Sequence, residues 1–148
     1  MYQDFSELLR AFNEHKVEYL VVGAHALAAH GHVRATKDLD VWVRPERENA
    51  RRVIAALKDY GAPLHDLTEA DLTKPNTVFQ IGIPPFRIDV LTMIDGVAFS
   101  QAWNDRLSTV FGGEPASVLS LRHLIENKKA SGLLQDLADI EMLGTDNG

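Results

Sequence analysis

Apolar side chains near the start of the chain follow a helical period and then change to a strand-like run. Residues 4–15 carry apolar groups at the i, i+3, i+4 and i+7 spacing of an amphipathic helix. These groups are Phe5, Leu8, Leu9 and Phe12. Residues 17–22 are mostly β-branched or aromatic and end at Gly23. We therefore predict a helix, a short buried strand and a turn.

The same reasoning predicts the elements that follow this turn. Residues 24–30 are rich in small, helix-forming residues, and Gly31 stands where a helix C-cap would be. A second strand is predicted over residues 38–43. A helix is predicted over residues 47–60, ending at Gly61.

The second half of the chain is predicted to begin with an irregular stretch over residues 62–75. An antiparallel pair of strands, a short helix, a short strand and two helices follow. Their predicted ranges are 77–83, 86–91, 97–104, 108–111, 118–130 and 134–143. A length of 148 residues suits one domain, residues 1–148, with residues 117–144 as a C-terminal helical segment.

Composition excludes several classes of protein. The chain has no cysteine, which rules out a disulfide framework and a thiolate zinc site. No apolar run approaches the ~20 residues that a membrane span requires, and the acidic, amphipathic N-terminus does not resemble a signal peptide. We therefore expect a soluble, cytoplasmic protein with no membrane partner.

The charge balance argues against extended nucleic-acid binding, because a formal net charge of −6 repels polyanions. Four arginines nevertheless cluster just after the second predicted strand. They are Arg44, Arg47, Arg51 and Arg52. We interpret them as a solvated helix face, and the alternative is a local patch that binds anions.

Two acidic residues lie two positions apart in the second predicted strand. Because side chains alternate across a strand, Asp38 and Asp40 share one face, while Leu39 and Val41 point toward a core. Hard cations such as Mg²⁺ take oxygen ligands from one or two carboxylates and from substrate phosphates. The pair is therefore a candidate metal site, with plain surface residues as the alternative.

A third acid lies in a later predicted strand, where Asp89 shares a polar face with Arg87. Two interpretations are open. One is a structural ion pair of Asp89 with Arg87 or Lys37. The other is a divalent metal that Asp89 shares with Asp38 and Asp40.

The turn at Gly23 and Ala24 is a candidate phosphate site. A glycine between a strand and a helix lets phosphate approach free N–H groups and the positive end of the helix dipole, although such a glycine also serves ordinary turn geometry. Arg34, Thr36 and Lys37 lie in the loop that leads to the second strand. They would place cationic and hydroxyl groups within reach of a triphosphate held at this turn.

The six histidines contain no i, i+4 pair of the kind that forms a helical zinc site. For His25 and His30 we expect hydrogen bonds at helix ends. A substrate-orienting or acid–base role is the alternative.

Three segments, at their spacing in the chain, resemble a known superfamily. They read GAHA at residues 23–26, HGHVRATKDLD at residues 30–40 and RIDV at residues 87–90. Together they are similar to the minimal nucleotidyltransferases of the DNA polymerase β type, especially the small prokaryotic abortive-infection and toxin members. In that group a Gly-Gly or Gly-Ser turn precedes an Asp-x-Asp strand. Residues 121–143 are similar to the C-terminal helices of the same group.

The resemblance implies an α+β fold with a small mixed or antiparallel β-sheet, helices packed on it and C-terminal helices. It also implies Mg²⁺-dependent transfer of a nucleoside monophosphate from an NTP such as ATP to an acceptor hydroxyl, with release of pyrophosphate. By this resemblance Asp38, Asp40 and Asp89 would bind Mg²⁺, and Asp89 would also help to activate the acceptor. The residues expected to contact the nucleotide are Gly23, Ala24, Arg34, Thr36, Lys37, Lys128 and Asp136.

Two positions depart from the family pattern. Ala24 stands where the family usually has Gly or Ser, so a hydroxyl contact to phosphate is missing. Leu133 and Leu134 stand where relatives often have a basic residue and Pro, which removes a candidate cation.

Three interpretations of function remain open from the sequence. The first is an enzyme whose acceptor is a small molecule, a protein hydroxyl or an RNA end, with a homodimer or protein partner completing the acceptor site. The second is a non-catalytic or partner-dependent nucleotide-binding member, such as a toxin–antitoxin component. The third is an ordinary α+β domain whose acids form salt bridges.

Overall fold

The computed structural model describes residues 3–32, 38–83 and 86–132, together with Glu141. In these residues the chain folds as a mixed α+β structure with five helices, a short 3-10 turn and six strands. The helices are α1 (Gln3–Glu14), α2 (Gly23–Ala29), α3 (Arg47–Tyr60), α4 (Phe99–Asn104) and α5 (Leu121–Ser131). The strands are β1 (Tyr19–Val22), β2 (Asp38–Val43), β3 (Val78–Ile81), β4 (Arg87–Leu91), β5 (Leu107–Phe111) and β6 (Glu114–Val118).

The six strands form one mixed sheet in the order β3-β4-β2-β1-β6-β5. β2 pairs antiparallel with β1 and parallel with β4. β3 and β5 are the antiparallel edge partners of β4 and β6, and β1 and β6 are parallel. In the chain, α3 and β3 lie between β2 and β4. In the sheet, this crossover connection places β2 and β4, two strands with acidic residues, side by side.

The side chains of β2 alternate between a face that packs on the core and a face that carries Asp38 and Asp40. Leu39 and Val41 are fully buried in a hydrophobic cluster that also contains the apolar faces of α1 and α3. On the other side, Asp38 and Asp40 are partly exposed, whereas Trp42 is buried and its ring packs against Phe99 of α4. Burial of one large apolar side chain contributes about 1.5–3 kcal/mol to the stability of the folded state. Burial of Leu39 and Val41 therefore determines which face of β2 packs on this core.

Most predicted elements are confirmed. α3 spans the predicted residues, and Gly61 caps it at φ +96°, a left-handed conformation that favours glycine. The antiparallel pair of strands is also confirmed, as β3 with β4. None of the described helices combines the length and the apolar character needed to cross a lipid bilayer.

The sequence analysis missed β6. Gly112 and Gly113 separate β5 from β6 as a hairpin connection, and two glycines between short runs are a recognised hairpin signal. Proline cannot donate to a ladder, and Pro115 lies in β6 opposite Val110 of β5. Here β6 pairs with β1 only at Val118, so Pro115 lies beyond that pairing and the proline is tolerated.

The start of the last described helix is therefore corrected from residue 118 to Leu121. Ser120 is its N-cap, with a side-chain oxygen that accepts the backbone N–H of His123, a typical capping bond. The predicted C-terminal segment, residues 117–144, begins with the last two residues of a strand. Of the predicted helix over residues 134–143, the structure describes only Glu141, which is helical.

Candidate active site

Three aspartates meet on one face of the sheet. β2 and β4 run parallel and in register, so Asp40 lies directly beside Asp89, and Asp38 lies beside Arg87. Because these residues occupy alternate positions of their strands, all four side chains project from the same face. Sequence spacing pairs Asp38 with Asp40, and strand pairing adds Asp89.

Arg87 contacts two of the three carboxylates. Its Nε donates to Asp89 Oδ1 at 3.0 Å, and its Nη2 lies 3.3 Å from Asp89 Oδ2. The same Nη2 is 3.4 Å from Asp38 Oδ2. The side chain of Asp89 is 12% exposed and that of Asp38 is 44% exposed. The ion pair of Arg87 with Asp89 is therefore better shielded from solvent than the pair with Asp38. The ion pair of Asp89 with Arg87, one of the two interpretations left open by the sequence, is present, while Lys37 lies outside the described residues.

Asp40 is the electrostatically perturbed member of the group. The pKa of Asp40 is raised from 3.8 to about 6. Burial is the largest cause, the nearby charges of Asp89 and Asp38 act in the same direction, and Arg87 opposes them. Both effects disfavour the ionised carboxylate. The folded protein therefore holds a carboxylate whose charge is poorly compensated by its own residues.

We expect the contribution of Asp40 to the stability of the metal-free protein to fall as the pH rises from about 4 to above 6. In this window the unfolded chain has released the Asp40 proton that the folded state still binds, so a rise in pH favours unfolding. A shift of two units corresponds to about 2–3 kcal/mol. Asp40→Asn removes this contribution. The unfolding free energy of the variant minus that of the wild type should therefore increase between pH 4 and pH 7.5. Urea unfolding in EDTA at both pH values measures the gap, and a gap independent of pH would contradict the assignment.

Gly23 brings the start of α2 against Asp40. Val22 pairs with Asp40 across the ladder of β1 and β2, and the chain turns at the next residue with φ +69°. A Cβ on Gly23 would lie 2.5 Å from Asp40 Oδ2, far inside van der Waals contact. Both the conformation and the close approach require glycine here.

Comparisons with known proteins identify the family of the chain. A family model described as "Nucleotidyltransferase of unknown function (DUF6036)" matches residues 2–144. The chain belongs to this nucleotidyltransferase family. It is also similar to the crystal structure of a protein from Thermotoga maritima described as a candidate nucleotidyltransferase, with a TM-score of 0.58 and 16% identity over 95% of this chain and 88% of the other. That likeness shows a shared fold. A search of curated proteins found no match.

The donors of this nucleotidyltransferase-family site suit a hard divalent cation. Three carboxylates offer only oxygen, the ligand type that Mg²⁺ prefers, and a cation would compensate the charge that raises the pKa of Asp40. As the side chains stand, no group of three or more His, Asp or Glu residues in the described part of the chain is placed to hold a metal ion. Among the described residues, Arg87 brings positive charge to these carboxylates, through its ion pairs with Asp38 and Asp89.

The structure describes only some of the other residues that are expected to bind nucleotide. Gly23 and Ala24 begin α2 beside Asp40. Lys128 lies in α5 and is 7% exposed, and its contact with a nucleotide stays a prediction. Four further residues fall outside the described part of the chain. They are Arg34, Thr36, Lys37 and Asp136.

Trp42 is a feature of this face that the sequence analysis did not single out. It continues the row of Asp38 and Asp40 along β2, so the alternation of the strand already placed it there. With Phe99 and Met93 it lines a cavity of about 240 Å³. Its indole N–H is buried and has no hydrogen-bond partner among the described residues. A polar atom left in this state favours a partner that the folded chain does not supply.

His25 and His30 contact the core rather than the carboxylates. The ring of His25 packs edge-on against Phe5 and Phe111, and burial lowers its pKa. The backbone N–H of His30 closes α2, as expected of a helix-end residue, and its ring Nε2 lies 2.9 Å from the carbonyl oxygen of Leu119. These contacts favour structural roles for both residues.

The arginine cluster divides into two groups. Arg51 and Arg52 pair with Glu48 within α3, as a solvated helix face would. Arg44 is only 16% exposed, pairs with Glu18 and stacks over Phe99. Three of the four arginines are thus already paired with carboxylates, which leaves little support for a patch that binds anions.

Proposed function

We propose that this protein is a Mg²⁺-dependent nucleotidyltransferase that moves a nucleoside monophosphate from an NTP to an acceptor hydroxyl. The observation that carries the proposal is the meeting of Asp38, Asp40 and Asp89 on one sheet face, beside the glycine turn that opens α2. In the proposed reaction the acceptor oxygen forms a bond to the α-phosphorus. The bond from that phosphorus to the bridging oxygen breaks, and pyrophosphate leaves with the electron pair.

The residues of the site would have different roles. Asp38 and Asp40 would hold the cation, and Asp89 would complete the site and help to activate the acceptor hydroxyl. Bound Mg²⁺ would neutralise phosphate charge and lower the pKa of the attacking group. The backbone at Gly23 and Ala24 would approach the triphosphate. The remaining proposed nucleotide contacts are Arg34, Thr36, Lys37, Lys128 and Asp136.

A second candidate is a nucleotide-binding member without turnover, such as the partner-dependent component of a toxin–antitoxin pair. The observation that favours it is Arg87, which already satisfies Asp89 with two hydrogen-bonding contacts. In this alternative the site binds a nucleotide or a partner protein, and the acids serve structure.

Thermal unfolding with each NTP, with and without Mg²⁺, tests the metal-dependent nucleotide binding that the proposed reaction requires. Ligand at 100 times its Kd adds about 2.7 kcal/mol to the stability of the folded state. For a chain of this size that corresponds to a rise in Tm of roughly 5–10 °C. We expect one or more NTPs to give this rise only when Mg²⁺ is present.

The control is Asp66→Asn, which removes one exposed carboxylate from the irregular stretch between α3 and β3. It should keep the rise in Tm that the wild type shows. A rise that does not depend on Mg²⁺ would favour nucleotide binding without the proposed chemistry. No rise with any NTP would contradict the proposal.

A further inference from the structure

Arg87 places a fixed positive charge where the proposed function places a cation. Its guanidinium reaches Asp89 at 3.0 and 3.3 Å and Asp38 at 3.4 Å. The fork geometry of a guanidinium matches a carboxylate with two parallel contacts. The carboxylates that would bind a divalent ion are therefore neutralised in part by a side chain of the same sheet.

Two cations cannot share these oxygens freely. A carboxylate oxygen that accepts a hydrogen bond from Arg87 offers fewer lone pairs to a metal, and the guanidinium repels an incoming positive charge. The strand register also keeps Arg87 close, because it stands beside Asp38 and two positions from Asp89. A metal that binds these carboxylates through the oxygens that Arg87 contacts would compete with the guanidinium for Asp89 and Asp38.

We propose that Arg87 is a resident counter-ion that competes with the divalent metal for Asp38 and Asp89, so that metal binding requires its guanidinium to move away. The inference rests on the proposed function, since it concerns the same carboxylates. It assigns Arg87 the role of a positioning residue. Before the metal binds, Arg87 holds the carboxylates in their rotamers. After the metal binds, its guanidinium is free to contact the phosphates of an incoming nucleotide, which suit its fork of donors.

The test is the affinity of the metal alone, with no nucleotide present. Mn²⁺ can be followed by the electron paramagnetic resonance signal of the free ion in titrations of wild type, Arg87→Gln and Arg87→Lys. We expect Arg87→Gln to bind Mn²⁺ roughly 10-fold more tightly than the wild type, within the 5- to 150-fold range of typical coupling between two ligands. Arg87→Lys keeps the charge and should stay close to the wild type.

The matched control is Arg10→Gln. Arg10 is also paired with a carboxylate, Glu114, at 3.0 Å, so this variant removes one positive charge and one ion pair elsewhere in the protein. Its Mn²⁺ affinity should equal that of the wild type. If Arg10→Gln raised the Mn²⁺ affinity as much as Arg87→Gln, the change in net charge alone would explain the effect. That result would overturn the inference.

A second measurement needs no variant and covers the case in which Arg87→Gln does not fold. The Nε–H of Arg87 donates to Asp89, so its NMR resonance should shift when diamagnetic Mg²⁺ is titrated, together with the backbone amide of Asp40. A shift at Asp40 without one at Arg87 would overturn the inference.

The failure of this inference and that of the proposed function give different results. Equal Mn²⁺ affinity in wild type and Arg87→Gln would overturn the competition by Arg87 and leave the proposed metal site standing. No Mn²⁺ binding to any variant, with circular dichroism showing them folded, would overturn both. Binding to Arg87→Gln but not to the wild type would be the strongest support for the competition.

Discussion

Asp40→Asn is expected to lower Mg²⁺-dependent nucleotide transfer by about a thousandfold or more while the protein stays folded. Stabilisation of transition-state charge by a bound metal contributes several kcal/mol, and each 1.4 kcal/mol is a factor of ten in rate. Asn has the shape of Asp but offers a metal one neutral oxygen in place of a carboxylate. Asp40 is central because it lies beside Asp89 in the ladder and two positions from Asp38.

The measurement is transfer of label from an α-labelled NTP, chosen by the thermal experiments, into a mixture of small molecules, RNA and protein. Asp89→Asn should behave like Asp40→Asn, and Asp66→Asn should retain wild-type transfer. Circular dichroism and urea unfolding report whether each variant is folded. Full transfer by Asp40→Asn would rule out its role as a metal ligand, and loss of folding would favour the structural ion-pair interpretation.

Gly23→Ala is expected to abolish the Mg²⁺-dependent rise in Tm with NTP and to destabilise the protein by at least about 2 kcal/mol. A residue with a side chain in the left-handed region costs of order 1–3 kcal/mol. In addition, the new Cβ would lie 2.5 Å from Asp40 Oδ2. The carboxylate must rotate away, which removes it from the position beside Asp89 that the proposed metal requires.

Gly31→Ala is the matched control for this prediction. Gly31 also has a positive φ, +92°, and follows the same helix, but a Cβ there would meet nothing within 4 Å. Gly31→Ala should show the conformational cost alone, about 1 kcal/mol, and keep the response to NTP. If both variants lost the response equally, backbone strain near α2 rather than the contact with Asp40 would explain the loss.

Local patterning predicted most elements because their signals are short in range. The i, i+3, i+4, i+7 spacing identified α1, and the run of apolar residues before Gly23 identified β1. The capping glycine at position 61 marked the end of α3. β6 was missed because it is defined by its pairing with β5 and β1, which is a contact between segments and not a periodicity of residues 114–118.

The candidate site was predictable in part for the same reason. Alternation along one strand is a local property, so Asp38 and Asp40 share a face in any sheet that contains β2. Their relation to Asp89 is not local. It depends on which strand lies beside β2 and in which register, and a slip of one residue would have turned Asp89 to the opposite face.

The amino-acid sequence by itself determined the element pattern, the pair of carboxylates on β2 and the glycine turn before α2, because periodicity, capping and alternation act over a few residues. The tertiary structure alone decided that Asp89 stands beside Asp40, that a side chain on Gly23 would displace the Asp40 carboxylate, and that Arg87 bridges Asp38 and Asp89. These contacts arise from strand order and register, which are set by burial of the whole core and not by any one segment.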